Sequence, residues 1–85
     1  MEQGSWLDYG MFLQSFMLAA REEGLESCAQ AAFCPYHDSV MPLLDAPEEQ
    51  MLVCGMSLGY ADPAALINTY RTPRLDARYF LTVLD

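Results

Sequence analysis

The hydrophobic pattern of SWLDYGMFLQSFMLAAREEGL, which begins at Ser5, predicts one long helix. Ser5 followed by Asp8 has the spacing of a capping box, with Asp in place of the usual Glu or Gln. Gly24 suits the position just beyond the helix end, and Leu25 is placed to fold back on Ala20. Apolar residues cover nearly the whole circumference between these ends, so the pattern predicts a buried helix and not a surface one.

Shorter elements are predicted downstream of this helix. The letters SCAQAAF form a short strand or an extended connector that ends at the breaker CPY. HDSVMPLLDAPEE contains a short helix, in which Pro42 is tolerated only within the first turn. Residues 51–60, MLVCGMSLGY, are apolar on both alternating faces and close with Gly59, which is typical of a strand buried on both sides. Residues 64–85 are predicted to form an extended C-terminal arm.

These elements predict an α+β fold in one region that spans residues 1–85. Its order is a long buried helix, a short strand or extended segment, a short helix, a buried strand and the extended arm. The strands are too few to close a sheet of their own. We therefore expect the missing strands to come from another chain or from another part of a longer protein.

Composition narrows the class of protein. The chain is 53% hydrophobic in 85 residues, which is too apolar for a disordered tail and too small to cover its own apolar surface. Self-association through a large hydrophobic interface is expected. A net charge of −8 argues against nucleic acid as a partner. No apolar run is long enough for a membrane span, and three cysteines without a signal peptide favour a cytoplasmic location.

Positive charge is concentrated at the C-terminal end. Arg71, Arg74 and Arg78 are three of the four basic residues, and all lie in the last eighteen positions. Guanidinium groups match phosphate oxygens bidentately, and Thr72 adds a hydroxyl between the first two arginines. A phosphate site is therefore chemically reasonable. The alternative, that these arginines pair with some of the twelve acids, is favoured by composition alone.

The sequence gives no strong pattern for metal binding or for acid–base catalysis. Cys28, Cys34, His37 and Cys54 nominally form a Cys3His metal set, but only one pair has close spacing, so inert buried thiols are preferred and no metal site is predicted. The acidic runs are interpreted as solvated faces because no apolar pocket is evident to raise the pKa of a carboxyl group. No catalytic residue is assigned.

Three segments together resemble the C-terminal half of the FMN-dependent nitroreductase family: GSWLDYGMFLQSFMLAAREEGLESCAQAAF, MLVCGMSLGYADP and INTYRTPR, in the same order and at similar intervals. The resemblance implies half of a nitroreductase-like fold and a flavoprotein oxidoreductase. In that family FMN serves the reduction of nitroaromatic or quinone-like acceptors by NAD(P)H, in homodimers with flavin sites at the subunit interface. The long helix would lie at the dimer core, and the arm would embrace the neighbouring subunit.

The resemblance also assigns site residues. It implies that Arg74 and Arg71 contact the FMN phosphate, whereas Arg78 lies beyond the motif. It further implies that Ala29, Gln30, Ala31 and Ala32 lie along the flavin ring. Members of the family are considerably longer than this chain, so a fragment or truncated gene product is expected. The alternative is a non-catalytic, self-associating, truncated nitroreductase-like domain that binds no flavin.

Overall fold

The computed structural model describes residues 2–85, which form two α-helices and a two-stranded sheet. The helices and strands are α1 (Gln3–Glu22), β1 (Glu26–Gln30), α2 (His37–Leu43) and β2 (Gly55–Gly59). Short 3-10 segments occupy Ala31–Tyr36, Leu66–Thr69 and Ala77–Tyr79. This order confirms the α+β class and the extended character of the C-terminal arm.

Helix α1 begins three residues earlier than the capping box predicts, with Glu2 and not Ser5 at the cap position. Glu2 occupies the cap position without a side-chain hydrogen bond, while Ser5 and Asp8 lie inside the helix. The capping prediction is therefore wrong. Each residue added to an existing helix gains a backbone hydrogen bond, here from Trp6 N to Glu2 O at 3.2 Å, so the helix extends past the local cap signal.

The C-terminal end of α1 is the one predicted. Gly24 has a φ of 81°, a left-handed conformation that suits glycine. Leu25 N donates to Ala20 O at 2.9 Å and Gly24 N donates to Arg21 O at 3.0 Å, which is the hydrogen-bond pair of a Schellman motif. The motif turns the chain directly into β1.

Strands β1 and β2 form an antiparallel pair. The register places Glu26 opposite Gly59, Cys28 opposite Ser57 and Gln30 opposite Gly55. Strand β2 ends at Gly59, the end of the predicted strand, but it begins at Gly55 and not at residue 51. Because β1 alone pairs with β2 within residues 2–85, the second edge of β2 stays unpaired. No residue of β2 is buried, so the predicted burial of both faces is not found in the described part of the chain.

Helix α2 follows the first 3-10 segment without a break. Pro42 lies in its last turn and not in the first, contrary to the prediction. The helix ends one residue later, at Leu43, and Asp45 then adopts a φ of 55°. Ala46 N then donates to Met41 O at 3.1 Å, so this helix also closes with a Schellman-type turn. The missing N–H of Pro42 affects only the short helix end.

One face of α1 packs against the sheet and the other does not. Tyr9, Phe12, Leu13 and Phe16 share a small cavity with Cys54 and Met56 next to and within β2. On the opposite side of the helix, Leu7, Met11 and Leu18 are each more than 60% exposed, and Phe12 on the packed face is itself 61% exposed. The all-round burial predicted for α1 is therefore not supplied by this chain. Among the helices of residues 2–85, none combines the length and apolar character that crossing a bilayer requires.

The chain leaves an unusually large apolar surface uncovered. It exposes 7863 Å², whereas a compact monomer of this mass exposes about 5,000 Å². The radius of gyration is 17.0 Å, against about 12 Å for a compact domain of this length. Within the described residues, Ala20 and Met41 are the only buried apolar side chains. The fold lacks a core of its own and needs another protein surface to cover it.

Candidate functional site

Residues 29–32 cross the end of β1. Ala29 and Gln30 are its last two residues, and Ala31 and Ala32 begin the 3-10 segment that follows. The three alanines are exposed, and Gln30 is half-buried. Methyl side chains leave the backbone of this segment accessible, so a planar ligand can approach it closely. Gln30 supplies the one polar side chain of the four.

The side chain of Gln30 is held from the neighbouring strand. Ser57 Oγ donates to Gln30 Oε1 at 3.1 Å. The register allows this contact because Ser57 lies two positions from Gly55, the residue opposite Gln30, on the same face of the sheet. The sequence offers no signal for this pair, since nothing local sets which residues of β1 and β2 face each other.

Gly55 makes room for an aromatic ring beside Gln30. A Cβ atom at Gly55 would lie 2.4 Å from Cδ2 and 3.2 Å from Cγ of Phe33. The ring therefore rests directly on the strand backbone. Phe33, Gln30 and Ser57 line the same open depression of about 320 Å³. Val40 of α2 and Leu52, which precedes β2, also line it.

Two arginines of the arm have no carboxylate partner within residues 2–85. Arg74 Nη1 donates to Thr72 Oγ1 at 2.6 Å and to the carbonyl oxygens of Pro73 at 3.2 Å and Thr72 at 3.4 Å. All these acceptors are neutral. Arg71 is exposed and makes no side-chain hydrogen bond in the described part of the chain. The positive charge of both residues is therefore available to an external anion.

The other two arginines are paired. Arg78 Nε lies 3.6 Å from Asp76 Oδ1, and its guanidinium lies 5.3 Å from the centre of the Tyr79 ring. Arg21 forms an ion pair with Glu26. Pairing with acids, the alternative that composition favoured, thus accounts for Arg21 and Arg78 but not for Arg71 and Arg74.

A turn anchors the start of the arm. Asp62 Oδ1 accepts a hydrogen bond from Ala64 N at 2.9 Å, and Asp62 O accepts one from Asn68 Nδ2 at 2.8 Å. Asn68 borders a cavity that is also lined by residues 26–28 of β1. The sequence Ala61-Asp62-Pro63 signals the turn, but it gives no signal for the contact that Asn68 makes with Asp62.

The two candidate groups are not joined within one chain. No hydrogen bond links Arg71 or Arg74 to residues 29–32 in the part of the chain that the structure describes. Asn68 lies beside the start of β1, and Gln30 lies at the other end, about 13 Å away along a strand of this length. The structure thus presents a ring-contacting candidate and a phosphate-contacting candidate as separate surfaces.

The residues of the nominal metal set have separate partners. Cys34 Sγ donates to Val53 O at 3.0 Å, and His37 Nε2 lies 3.3 Å from Gln50 O. Cys28 is exposed, which corrects the expectation of a buried thiol, while Cys34 and Cys54 are half-buried. Among residues 2–85, no group of three or more His, Cys, Asp and Glu side chains is arranged to hold a metal ion.

Comparison with known proteins identifies the family to which this chain belongs. The model of the nitroreductase family matches residues 1–60. The match covers more than half of the chain, so the chain belongs to the nitroreductase family. This confirms the resemblance based on the three sequence segments.

Two relatives show how much of a family member this chain represents. A 4-nitrobenzoate reductase of Pseudomonas putida is 49% identical over 76 residues, which cover 89% of this chain and 34% of that protein. A chloronitrobenzene nitroreductase of Comamonas testosteroni is 39% identical over 82 residues, which cover 96% of this chain and 36% of that protein. The chain spans about a third of the length of the curated relatives it matches.

A solved structure agrees with the fold. The FMN and NADPH-dependent nitroreductase NfnB from Sphigopyxis sp. strain HMH matches with a TM-score of 0.92 and 34% identity. The match covers 100% of this chain and 38% of that chain. The arrangement of α1, the β1–β2 sheet, α2 and the arm is therefore the arrangement of one part of a nitroreductase.

Proposed function

We propose that this chain is the part of an FMN-dependent oxidoreductase that binds the FMN phosphate and lines one side of the flavin ring. The complete protein would reduce nitroaromatic or quinone-like acceptors with NAD(P)H. Nitroaromatic chemistry is supported by the names of two relatives, a 4-nitrobenzoate reductase and a chloronitrobenzene nitroreductase. FMN is supported by NfnB, which is FMN and NADPH-dependent.

The observation that carries this proposal is the lack of carboxylate partners for Arg71 and Arg74. Two guanidinium groups without a carboxylate partner, of which that of Arg74 contacts the Thr72 hydroxyl, supply donors suited to a phosphate monoester. The segment from Ala29 to Ala32 supplies accessible backbone, and Gln30 supplies amide donors. These chemical types fit FMN, which combines a phosphate with a flat ring that carries hydrogen-bond acceptors.

FMN, when bound, supplies the hydride transfer between NAD(P)H and the acceptor. The residues of this chain then bind and orient the cofactor: Arg74 and Arg71 hold its phosphate, and residues 29–32 lie along its ring. We assign no acid or base among them, because no titratable side chain lies in the segment 29–32.

We also propose that the active form is a homodimer in the cytoplasm. The separation of the two candidate groups and the uncovered face of α1 both favour a second copy as the partner. Three free thiols in the described structure suit a reducing compartment. In such a dimer the arm of one copy would carry its arginines toward residues 29–32 of the other.

The test compares FMN with riboflavin, which lacks the phosphate, by titration into the purified chain while flavin fluorescence is followed. Arg74→Ala should weaken FMN binding roughly 10- to 100-fold, the loss of charge-assisted hydrogen bonds, and should leave riboflavin binding unchanged. Arg78→Ala is the matched control, because it removes the same charge from the same arm at a residue that already has a partner.

The outcomes separate the candidates. Binding of FMN that Arg74→Ala weakens and Arg78→Ala does not would support the phosphate role, and NADPH oxidation with a nitroaromatic acceptor would extend it to catalysis. Equal losses in both variants would indicate only general electrostatic attraction. No binding of either flavin, together with a dimeric mass, would favour the second candidate, a non-catalytic self-associating domain, which the exposed 7863 Å² surface supports.

A further inference from the structure

The hydrogen bond between Ser57 and Gln30 connects the two strands at the end where the candidate ring segment begins. It joins residues 27 positions apart at 3.1 Å. No other hydrogen bond between side chains in residues 2–85 spans more than five positions. The bond runs diagonally across one face of the sheet, from a residue opposite Cys28 to a residue opposite Gly55.

This bond tethers the Gln30 carboxamide to β2, and in the structure Oε1 is the end that faces Ser57. Oε1 accepts from Ser57, so the group left free is Nε2, which carries two donor hydrogens. Within the described residues, Nε2 has no hydrogen-bond partner. Without Ser57, the terminal amide loses this tether and rotates freely, because its torsion has two broad and nearly equivalent minima. An unrestrained amide would present either an acceptor or a donor at the same place.

We infer that Ser57 is a positioning residue that holds Gln30 so that Nε2 donates to a carbonyl oxygen or ring nitrogen of the bound flavin. This inference rests on the proposed function. Reduction of a flavin adds electron density to the acceptor atoms along the edge of its ring. A donor that is already oriented toward them costs no reorganisation and favours the reduced form. Ser57 therefore contributes to ring affinity and to reduction potential through Gln30.

The test measures affinity for FMN and for riboflavin, and the reduction potential of the bound flavin, in matched variants. Ser57→Ala should weaken binding of both flavins by the same factor, roughly three- to tenfold for one hydrogen bond, and should make the potential more negative. Ser57→Thr keeps the hydroxyl and should restore both values. In a Gln30→Met background, where the amide is already absent, Ser57→Ala should have no further effect.

Each alternative outcome is decisive. If the unsubstituted chain binds neither flavin, the proposed function and this inference both fail. If it binds both flavins and Ser57→Ala changes neither the affinity nor the potential, only the inference fails. If Ser57→Ala lowers the thermal unfolding midpoint and weakens binding equally in the Gln30→Met background, the hydroxyl acts on folding and not through Gln30, which also refutes the inference.

Discussion

Replacement of Gly55 by alanine should show how tightly the aromatic ring of Phe33 packs against the backbone of β2. The added Cβ would lie 2.4 Å from Cδ2, 2.7 Å from Cε2 and 3.2 Å from Cγ of Phe33. Carbon atoms pack best at about 3.5–4.0 Å, so the closest contact is too short by more than 1 Å. Since Cγ is also too close, rotation of the ring about its own axis does not remove the overlap. Phe33 must change its rotamer.

The loss of folding free energy is limited because the Phe33 side chain can move away from the strand. The residue is 45% exposed, so its ring can swing toward solvent and give up its contacts with the strand. We expect Gly55→Ala to destabilise the fold by about 1–3 kcal/mol, the usual range for overpacking. In the absence of the clash, alanine would stabilise the fold by about 0.4–1 kcal/mol, because it lowers the conformational entropy of the unfolded chain.

Urea unfolding followed by far-ultraviolet circular dichroism measures this effect. All variants are compared at one protein concentration, since association contributes to apparent stability. The control is the same substitution in a Phe33→Ala background, where Gly55→Ala should be neutral or slightly stabilising. Equal destabilisation in both backgrounds would place the effect in the strand backbone and refute the explanation based on Phe33.

Two further predictions concern the C-terminal end of α1 and its exposed apolar face. Gly24→Ala forces alanine into a φ of 81° and should destabilise the fold by about 1–2 kcal/mol; an unchanged urea midpoint would show that the turn relaxes. Leu18→Glu adds a charge to the exposed apolar face of α1, where Leu18 is 62% exposed, and should weaken self-association at least tenfold in sedimentation experiments. Ser39→Glu on α2 is its control, and an unchanged mass for Leu18→Glu would place the interface elsewhere.

The local features of the fold were predictable from the sequence because their signals lie within a few residues. Gly24 and Leu25 marked the end of α1, and the Schellman hydrogen bonds form within six residues of chain. Gly59 marked the end of β2 in the same way. Where two local signals competed, the prediction was wrong: Ser5 and Asp8 resembled a cap, but continuation of the helix prevailed.

The candidate site was predictable only in part. The resemblance singled out Arg71, Arg74 and residues 29–32, but it gave no means of telling a paired arginine from an unpaired one. Charge counts alone favoured pairing for all of them. The structure separates Arg78, which lies beside Asp76, from Arg74, whose acceptors are all neutral. That distinction depends on the path of the arm, which composition does not encode.

The sequence by itself determined the apolar excess, the position of the positive charge and the family, because these depend on residue types and their order. Tertiary structure alone decided which face of α1 packs on the sheet, that Gly55 seats the ring of Phe33, and that Ser57 holds Gln30. The reason is the distance along the chain: β1 and β2 pair residues 25 or more positions apart, and a register shift of one residue would turn every side chain to the opposite face.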